Sequence, residues 1–146
     1  MKSAWILRIE RISPNDGKGL RTVVFFKGCP LRCKWCAAPE SQKMKPESCL
    51  RAGRAGIFGK EMTTAQVMKE IRKDEIFFYH SQGGVTLSGG DVLCQADFAR
   101  ELLMECKESE IHTMAELDMY GDFENVRKLL PWLDGFYADV KMMDST

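Results

Sequence analysis

Three closely spaced cysteines constrain this chain more than any other feature. Cys29, Cys33 and Cys36 form a C-x3-C-x2-C run. Three thiolates at this spacing can hold three corners of a cubane iron–sulfur cluster, whereas a cluster held fully by protein takes four cysteines. One iron would then stay open to a small ligand, as the open position of a catalytic zinc does. The spacing therefore predicts a reactive cluster rather than a purely structural one.

A structural zinc site is the alternative interpretation of the same cysteines. Cys49 could supply a fourth ligand, but structural zinc sites usually show paired short spacings. Cys49, Cys94 and Cys106 each stand alone in the sequence. Spacing favours the cluster over zinc, and we expect Cys94 and Cys106 to be core residues.

Composition excludes some classes of function. Of the 146 residues, 21 are Lys or Arg and 21 are Asp or Glu, so the formal net charge is zero. Such a balance argues against broad binding to nucleic acid or to an anionic membrane. No apolar run reaches the length of a membrane span, and residues 1–10 lack the features of a signal peptide. We expect a single cytoplasmic domain over residues 1–146, where reduced cysteines bind metal rather than form disulfides.

Strand patterns alternate with helix patterns along the chain, which predicts an α/β fold built from parallel β/α units. A capping box at Thr63 and Gln66 predicts the start of one helix. Residues 37–60, rich in Pro and Gly, predict an irregular connection. Strands are predicted at residues 4–12, 22–27, 84–88, 111–116 and 136–141, and further helices at 97–107 and 123–130.

Polar motifs follow these strands in turn. The cysteine run follows the strand at 22–27, and residues 88–91 (SGGD) follow the next one. Glu116 ends the third of these strands, and residues 139–141 end the fourth. Because the carboxyl ends of parallel strands share one edge, we expect all four motifs to meet there.

Taken together, the motifs resemble those of radical S-adenosylmethionine (SAM) enzymes, and in particular the glycyl-radical-enzyme activating enzymes of the pyruvate formate-lyase type. Five motifs occur in the same order as in that family, which is far more specific than any one of them. They are residues 16–22 (DGKGLRT), 29–36 (CPLRCKWC), 86–93 (TLSGGDVL, similar to the family's S-G-G-E), 111–116 (IHTMAE) and 139–141 (DVK, similar to D-L-K).

The resemblance implies a radical-SAM-type partial (β/α) TIM-like barrel, with about four to five parallel strands present. It also implies that the three cysteines hold a [4Fe–4S] cluster whose fourth iron is chelated by SAM. Lys141 would pair with the SAM carboxylate. Glu116 and Asp139 would face its amino group or a monovalent cation. The remaining implied contacts are Trp35 and Ala37 at the adenine, Gly89, Gly90 and Asp91 at the methionine end, Val140 beside Lys141, and Asp16 and Arg21 at the entrance for the substrate peptide.

By the same resemblance, an external electron donor such as flavodoxin or ferredoxin reduces the cluster, and SAM is cleaved to methionine and a 5′-deoxyadenosyl radical. That radical would remove a hydrogen from one glycine of a partner glycyl radical enzyme. The cofactor supplies the difficult chemistry, while the protein positions it.

Three departures from the family pattern keep other interpretations open. Asp91 replaces the usual Glu, Ala38 replaces a polar residue after the third cysteine, and the sequence stops soon after Lys141. An open strand edge there would favour self-association. The alternatives are a short anaerobic ribonucleotide reductase activase, or a non-catalytic fragment that binds an iron–sulfur cluster or zinc.

Overall fold

A mixed six-stranded sheet organises the chain. The computed structural model describes residues 3–15, 17–27, 47–51, 54–89, 92–117 and 123–138. Its strands are β1 (Ser3–Ser13), β2 (Arg21–Phe26), β3 (Glu47–Arg51), β4 (Arg54–Phe58), β5 (Lys60–Thr63), β6 (Gly84–Gly89), β7 (His112–Leu117) and β8 (Gly135–Ala138). The sheet order is β5-β1-β2-β6-β7-β8, and β3 and β4 form a separate two-stranded sheet.

Within the large sheet, β2, β6, β7 and β8 run parallel to one another. β1 is antiparallel to both β2 and β5. The predicted α/β class with mostly parallel strands is thereby confirmed. Parallel neighbours require long crossover connections, and helices supply most of them here.

The helices are α1 (Thr64–Arg72), α2 (Glu75–Ser81), α3 (Ala96–Glu108) and α4 (Phe123–Leu129), with short 3-10 turns at Val92–Gln95 and Leu130–Trp132. Helix α1 begins at the predicted capping box. The Gln66 amide donates to Thr63 Oγ1 at 3.3 Å, and the Thr63 amide donates to Gln66 Oε1 at 2.9 Å. None of the helices in the described ranges is both long and apolar enough to cross a membrane.

The core lies between the helices and one face of the sheet. Alternate residues of the two central strands point into it, among them Val24, Phe26, Val85 and Leu87, all completely buried. Phe26 also packs edge-on against Phe98 of α3, with ring centroids 6.0 Å apart. Burying a side chain of this size contributes about 1.5–3 kcal/mol, so these strands are held firmly against α1 and α3.

Two predictions for the connections were wrong. Residues 37–60 were expected to be irregular, but β3 and β4 pair as an antiparallel hairpin and Lys60 opens β5. Helix α2 was missed because its sequence, EIFFYHS, is aromatic and looks like a strand. The fully buried carboxylate of Asp74 anchors its start, accepting from Thr22 Oγ1 at 2.6 Å and from Arg11 Nε at 2.9 Å.

The end of α3 is a Schellman motif built on a residue other than glycine. The Ile111 amide donates to the Cys106 carbonyl at 2.9 Å, and the Glu110 amide donates to the Lys107 carbonyl at 3.0 Å. This geometry places Glu110 in the left-handed region, with φ of 58°. Glycine is the usual residue at such a position, because a Cβ is disfavoured there.

Replacing Glu110 with glycine should therefore stabilise the protein. We expect Glu110→Gly to raise the free energy of unfolding by roughly 0.5–1 kcal/mol, since relief of backbone strain outweighs the extra entropy of the unfolded chain. Chemical denaturation of the two proteins measures the difference. Ser109→Gly is the matched control. Ser109 has a φ of −92°, so the same substitution one residue earlier should not stabilise, and equal effects at both positions would contradict the explanation.

Candidate functional site

Four parallel strands end side by side, and this edge of the sheet forms the candidate site. The pairing of Phe26 with Gly89 aligns the carboxyl ends of β2 and β6. The pairing of Leu117 with Ala138 aligns those of β7 and β8. The segments that leave from this edge are those that contain the cysteine run, the second glycine of the Gly-Gly pair, and residues 139–141.

A row of side chains crosses one face of the sheet at this edge. Phe25 pairs with Ser88, and Glu116 pairs with Tyr137. Residues paired across strands share a face of the sheet. The Arg8 guanidinium lies 4.3 Å from the centroid of the Phe25 ring, at the far end of the row. The row thus runs from a cation and an aromatic ring, through a hydroxyl and a carboxylate, to a phenol.

The centre of this row is a hydrogen-bonded pair. Ser88 Oγ donates to Glu116 Oε2 at 2.8 Å, and Ser88 is buried. A carboxylate accepts several hydrogen bonds, so Glu116 can accept from an ammonium group as well as from Ser88. Glu116 was predicted as a site residue. Ser88 belonged to the motif, but the sequence assigned it no role of its own.

Gly89 follows Ser88 and is required by the geometry of the sheet. Its φ is 112°, and a Cβ built on it would lie 2.3 Å from the Phe26 amide nitrogen and 2.4 Å from the Phe26 carbonyl oxygen. No side chain fits between these strands at that separation.

Gln95 is the last residue of the 3-10 turn Val92–Gln95, which follows β6 along the chain. It was not predicted as a site residue from the sequence. Its side-chain amide bonds to the backbone of Trp5 in β1 and to the carbonyl of Lys27, the residue after β2. These partners are distant along the chain, so no local pattern marks the residue.

Arg21 is placed away from this edge. It is the first residue of β2, it pairs with Gly84 at the amino end of β6, and it is completely buried. Its guanidinium donates to Thr86 Oγ1 at 2.7 Å and to the carbonyl oxygens of Lys18 and Val85, both at 2.8 Å. The sequence placed Arg21 in an entrance loop, whereas the structure gives it a strand position and internal partners. Its contact with a substrate stays a prediction.

Most of the predicted site residues lie outside the described residues. Within the described ranges, His, Cys, Asp and Glu side chains form no group of three able to hold a metal ion. The predicted site residues that lie outside are Asp16, Cys29, Cys33, Trp35, Cys36, Ala37, Gly90, Asp91, Asp139, Val140 and Lys141.

The two cysteines with described side chains differ from each other. Cys106 is buried in the core as expected, and burial raises the pKa of its thiol to about 12. Cys94 is exposed, so its assignment to the core was wrong. The difference follows from position, because Cys94 lies in the 3-10 turn before α3, whereas Cys106 is on the face of α3 that meets the sheet.

Comparison with known proteins identifies the family. Residues 15–141 match the model of the 4Fe-4S single cluster domain. The chain belongs to this family. It is 39% identical to the pyruvate formate-lyase 2-activating enzyme of Escherichia coli (strain K12), over 98% of the chain and 55% of that protein. It is 40% identical to the pyruvate formate-lyase-activating enzyme of Clostridium pasteurianum, over 93% of the chain and 52% of that protein.

A third similar protein is the indoleacetate decarboxylase activating enzyme of Tractidigestivibacter scatoligenes, 33% identical over 97% of the chain and 62% of that protein. These matches confirm the resemblance to glycyl-radical-enzyme activating enzymes that the motifs predict. This chain of the 4Fe-4S single cluster domain family therefore spans between half and two thirds of the length of these curated relatives.

A structural role for Arg21 can be tested by removing its guanidinium. We expect Arg21→Met to lower the free energy of unfolding by about 2–4 kcal/mol, because the Thr86 hydroxyl and the Val85 carbonyl of β6, together with the Lys18 carbonyl, would lose their donor. Arg127→Met is the control, since Arg127 is exposed on α4 and its ion pair with Glu124 lies at the surface. Exposed pairs contribute little. Equal stability of the two variants, measured by urea denaturation, would contradict the structural role.

Proposed function

We propose that this chain forms the cluster- and SAM-binding part of a radical SAM activating enzyme, which removes a hydrogen from a glycine of a partner glycyl radical enzyme. The observation that carries the proposal is the common edge of β2, β6, β7 and β8. The cysteine run, the Gly-Gly pair, Glu116 and residues 139–141 all belong to strands or segments that end or begin at that edge. Family membership and the names of the relatives support the same conclusion.

The donor set of the chain fits such a cluster. Cys29, Cys33 and Cys36 offer three thiolates and leave one iron for the amino and carboxylate groups of SAM. When bound, the cluster supplies the single electron for reductive cleavage of SAM. We assign Trp35 and Ala37 to the adenine side of the cofactor, as the motif implies.

The described residues at the edge suit the other end of SAM. Glu116, held by Ser88, can accept a hydrogen bond from the SAM amino group or contact a monovalent cation. Gly89 lies against the backbone of Phe26, and this contact fixes the point at which the segment to Gly90 and Asp91 leaves β6. Gly90, Asp91, Asp139, Val140 and Lys141 complete the proposed binding set, with Lys141 opposite the SAM carboxylate.

We further propose that the chain acts in the cytoplasm, that its barrel is partial, and that flavodoxin or ferredoxin delivers the electron. Phe136 and Tyr137 of β8 are exposed at the edge of the described sheet. An open strand edge of this kind supports pairing with another strand, including one from a second copy of the chain. Asp16 is proposed for the peptide side.

The decisive experiment is electron paramagnetic resonance on anaerobically reconstituted, reduced protein, with and without SAM. We expect a [4Fe–4S]+ signal that changes when SAM is added, together with release of 5′-deoxyadenosine. A cluster signal that is indifferent to SAM would favour a non-catalytic iron–sulfur fragment. Bound zinc in place of iron would favour the structural zinc site.

Glu116 provides a test of the SAM site itself. We expect Glu116→Gln to weaken SAM binding about tenfold or more with unchanged iron content, because a hydrogen bond to a charged group contributes about 1.5–3 kcal/mol. Glu108→Gln, at an exposed position near the end of α3, should leave SAM binding unchanged. Unaltered affinity in Glu116→Gln, measured by titrating the resonance signal with SAM, would remove Glu116 from the site.

A further inference from the structure

The Gln95 side chain connects three separate parts of the chain. Its Oε1 accepts from the Trp5 amide at 2.8 Å, and its Nε2 donates to the Trp5 carbonyl at 2.9 Å and to the Lys27 carbonyl at 2.9 Å. The Lys27 amide also donates to the Trp5 carbonyl at 3.0 Å. The amide group of Gln95 therefore bonds in the way that a strand backbone would, with one donor and one acceptor directed at Trp5.

Two segments of the proposed site begin or end at these bonds. Lys27 is the last described residue before the segment that carries the cysteine run. Gln95 ends the 3-10 turn Val92–Gln95, which follows Gly90 and Asp91 in the sequence. One side chain thus connects Lys27, which precedes the cysteine segment, to the 3-10 turn that follows residues 89–91. Those three residues are the ones assigned to the methionine end of SAM.

Helix capping does not account for this residue. Gln95 occupies the N-cap position of α3, but its side chain makes no capping hydrogen bond. Ser, Thr, Asp and Asn are the residues that favour this position. The Gln95 side chain leaves α3 without a side-chain cap. Because it is longer than the side chains of those residues, it reaches the backbone of Trp5 in β1 and the carbonyl of Lys27, just after β2.

We propose that Gln95 is a positioning residue for the cluster and SAM site. By bonding to the Lys27 carbonyl, it fixes the point at which the cysteine segment leaves the sheet. Because Gln95 also ends the 3-10 turn, it holds that point at a fixed distance from the start of the turn at Val92, and so from the neighbouring residues 89–91. The proposal rests on the proposed function, since it assumes a cluster at Cys29, Cys33 and Cys36.

Two substitutions separate the contributions of the amide. Gln95→Met keeps the length of the side chain and removes all three hydrogen bonds. Gln95→Glu keeps the acceptor for the Trp5 amide but has no N–H for the carbonyls of Trp5 and Lys27. The control is Gln66→Met, the same change at a glutamine that also accepts from a backbone amide, in the capping box of α1.

Three quantities are measured. They are the rate at which the cluster loses iron to a chelator, the change of the electron paramagnetic resonance signal as SAM is added, and the urea unfolding of the chains without cluster. At urea concentrations where each chain is fully folded, we expect both Gln95 variants to release iron at least fivefold faster than Gln66→Met. We also expect them to need at least threefold more SAM for half of the spectral change. A role in general stability would move the unfolding transition without these two differences.

Each outcome bears on the proposal. Iron release and SAM response equal to those of Gln66→Met would overturn it, and so would failure of both Gln95 variants to fold, which would give the side chain a general structural role. If Gln95→Glu alone matched the wild-type chain in iron release and SAM response, the hydrogen bond to the Lys27 carbonyl would not be needed, and that part of the proposal would be overturned. A wild-type chain that binds no cluster, or a cluster that ignores SAM, would instead overturn the proposed function, and this inference with it.

Discussion

The common direction of β2, β6, β7 and β8 is the constraint on which the rest of the structure depends. Backbone hydrogen bonding between parallel strands fixes their register, and here it aligns Phe26 with Gly89 and Leu117 with Ala138. Segments far apart in sequence must then leave the sheet side by side. Covalent connection alone would not bring the end of β2 beside the end of β6, whereas the ladder of the sheet does.

The two ends of the parallel strands differ in how their polar groups are used. Towards the amino ends, Arg21 and Asp74 are completely buried and bond to other parts of the same chain. At the carboxyl ends, Glu116 accepts from Ser88 through one of its oxygens, and Gly89 follows Ser88 at the end of β6. The polar groups toward the amino ends are thus satisfied within the fold, whereas Glu116, as a carboxylate, can accept hydrogen bonds besides the one from Ser88.

Sequence reasoning found β1, β2, β6, β7 and β8, and the edge that the last four share, because these strands depend on local patterns. Runs such as TVVFF are β-branched and aromatic, and their order along the chain dictates the topology. Glu116 was identified as a site residue through its position at the end of such a run. Helix α2 was missed, since its aromatic residues mimic a strand and its start depends on Asp74 meeting the distant Thr22 and Arg11.

Residues whose role depends on long-range contacts escaped prediction for the same reason. Gln95 bonds to partners 90 and 68 positions away, and nothing in its neighbourhood indicates them. Arg21 was expected at the entrance for the substrate peptide because the resemblance implies that place for it, and a charged residue is rarely buried unless its hydrogen-bond donors are satisfied. Only the folded sheet supplies the carbonyls and the Thr86 hydroxyl that satisfy it.

The close fit of Gly89 against Phe26 also limits how this fold can diverge. Every replacement of a glycine adds a Cβ, and here that atom would fall within 2.4 Å of the backbone of the neighbouring strand. Gradual mutation therefore has no open route through this position. Among descendants of such a chain, change has to arise at the side chains around Gly89, while Gly89 itself stays as it is.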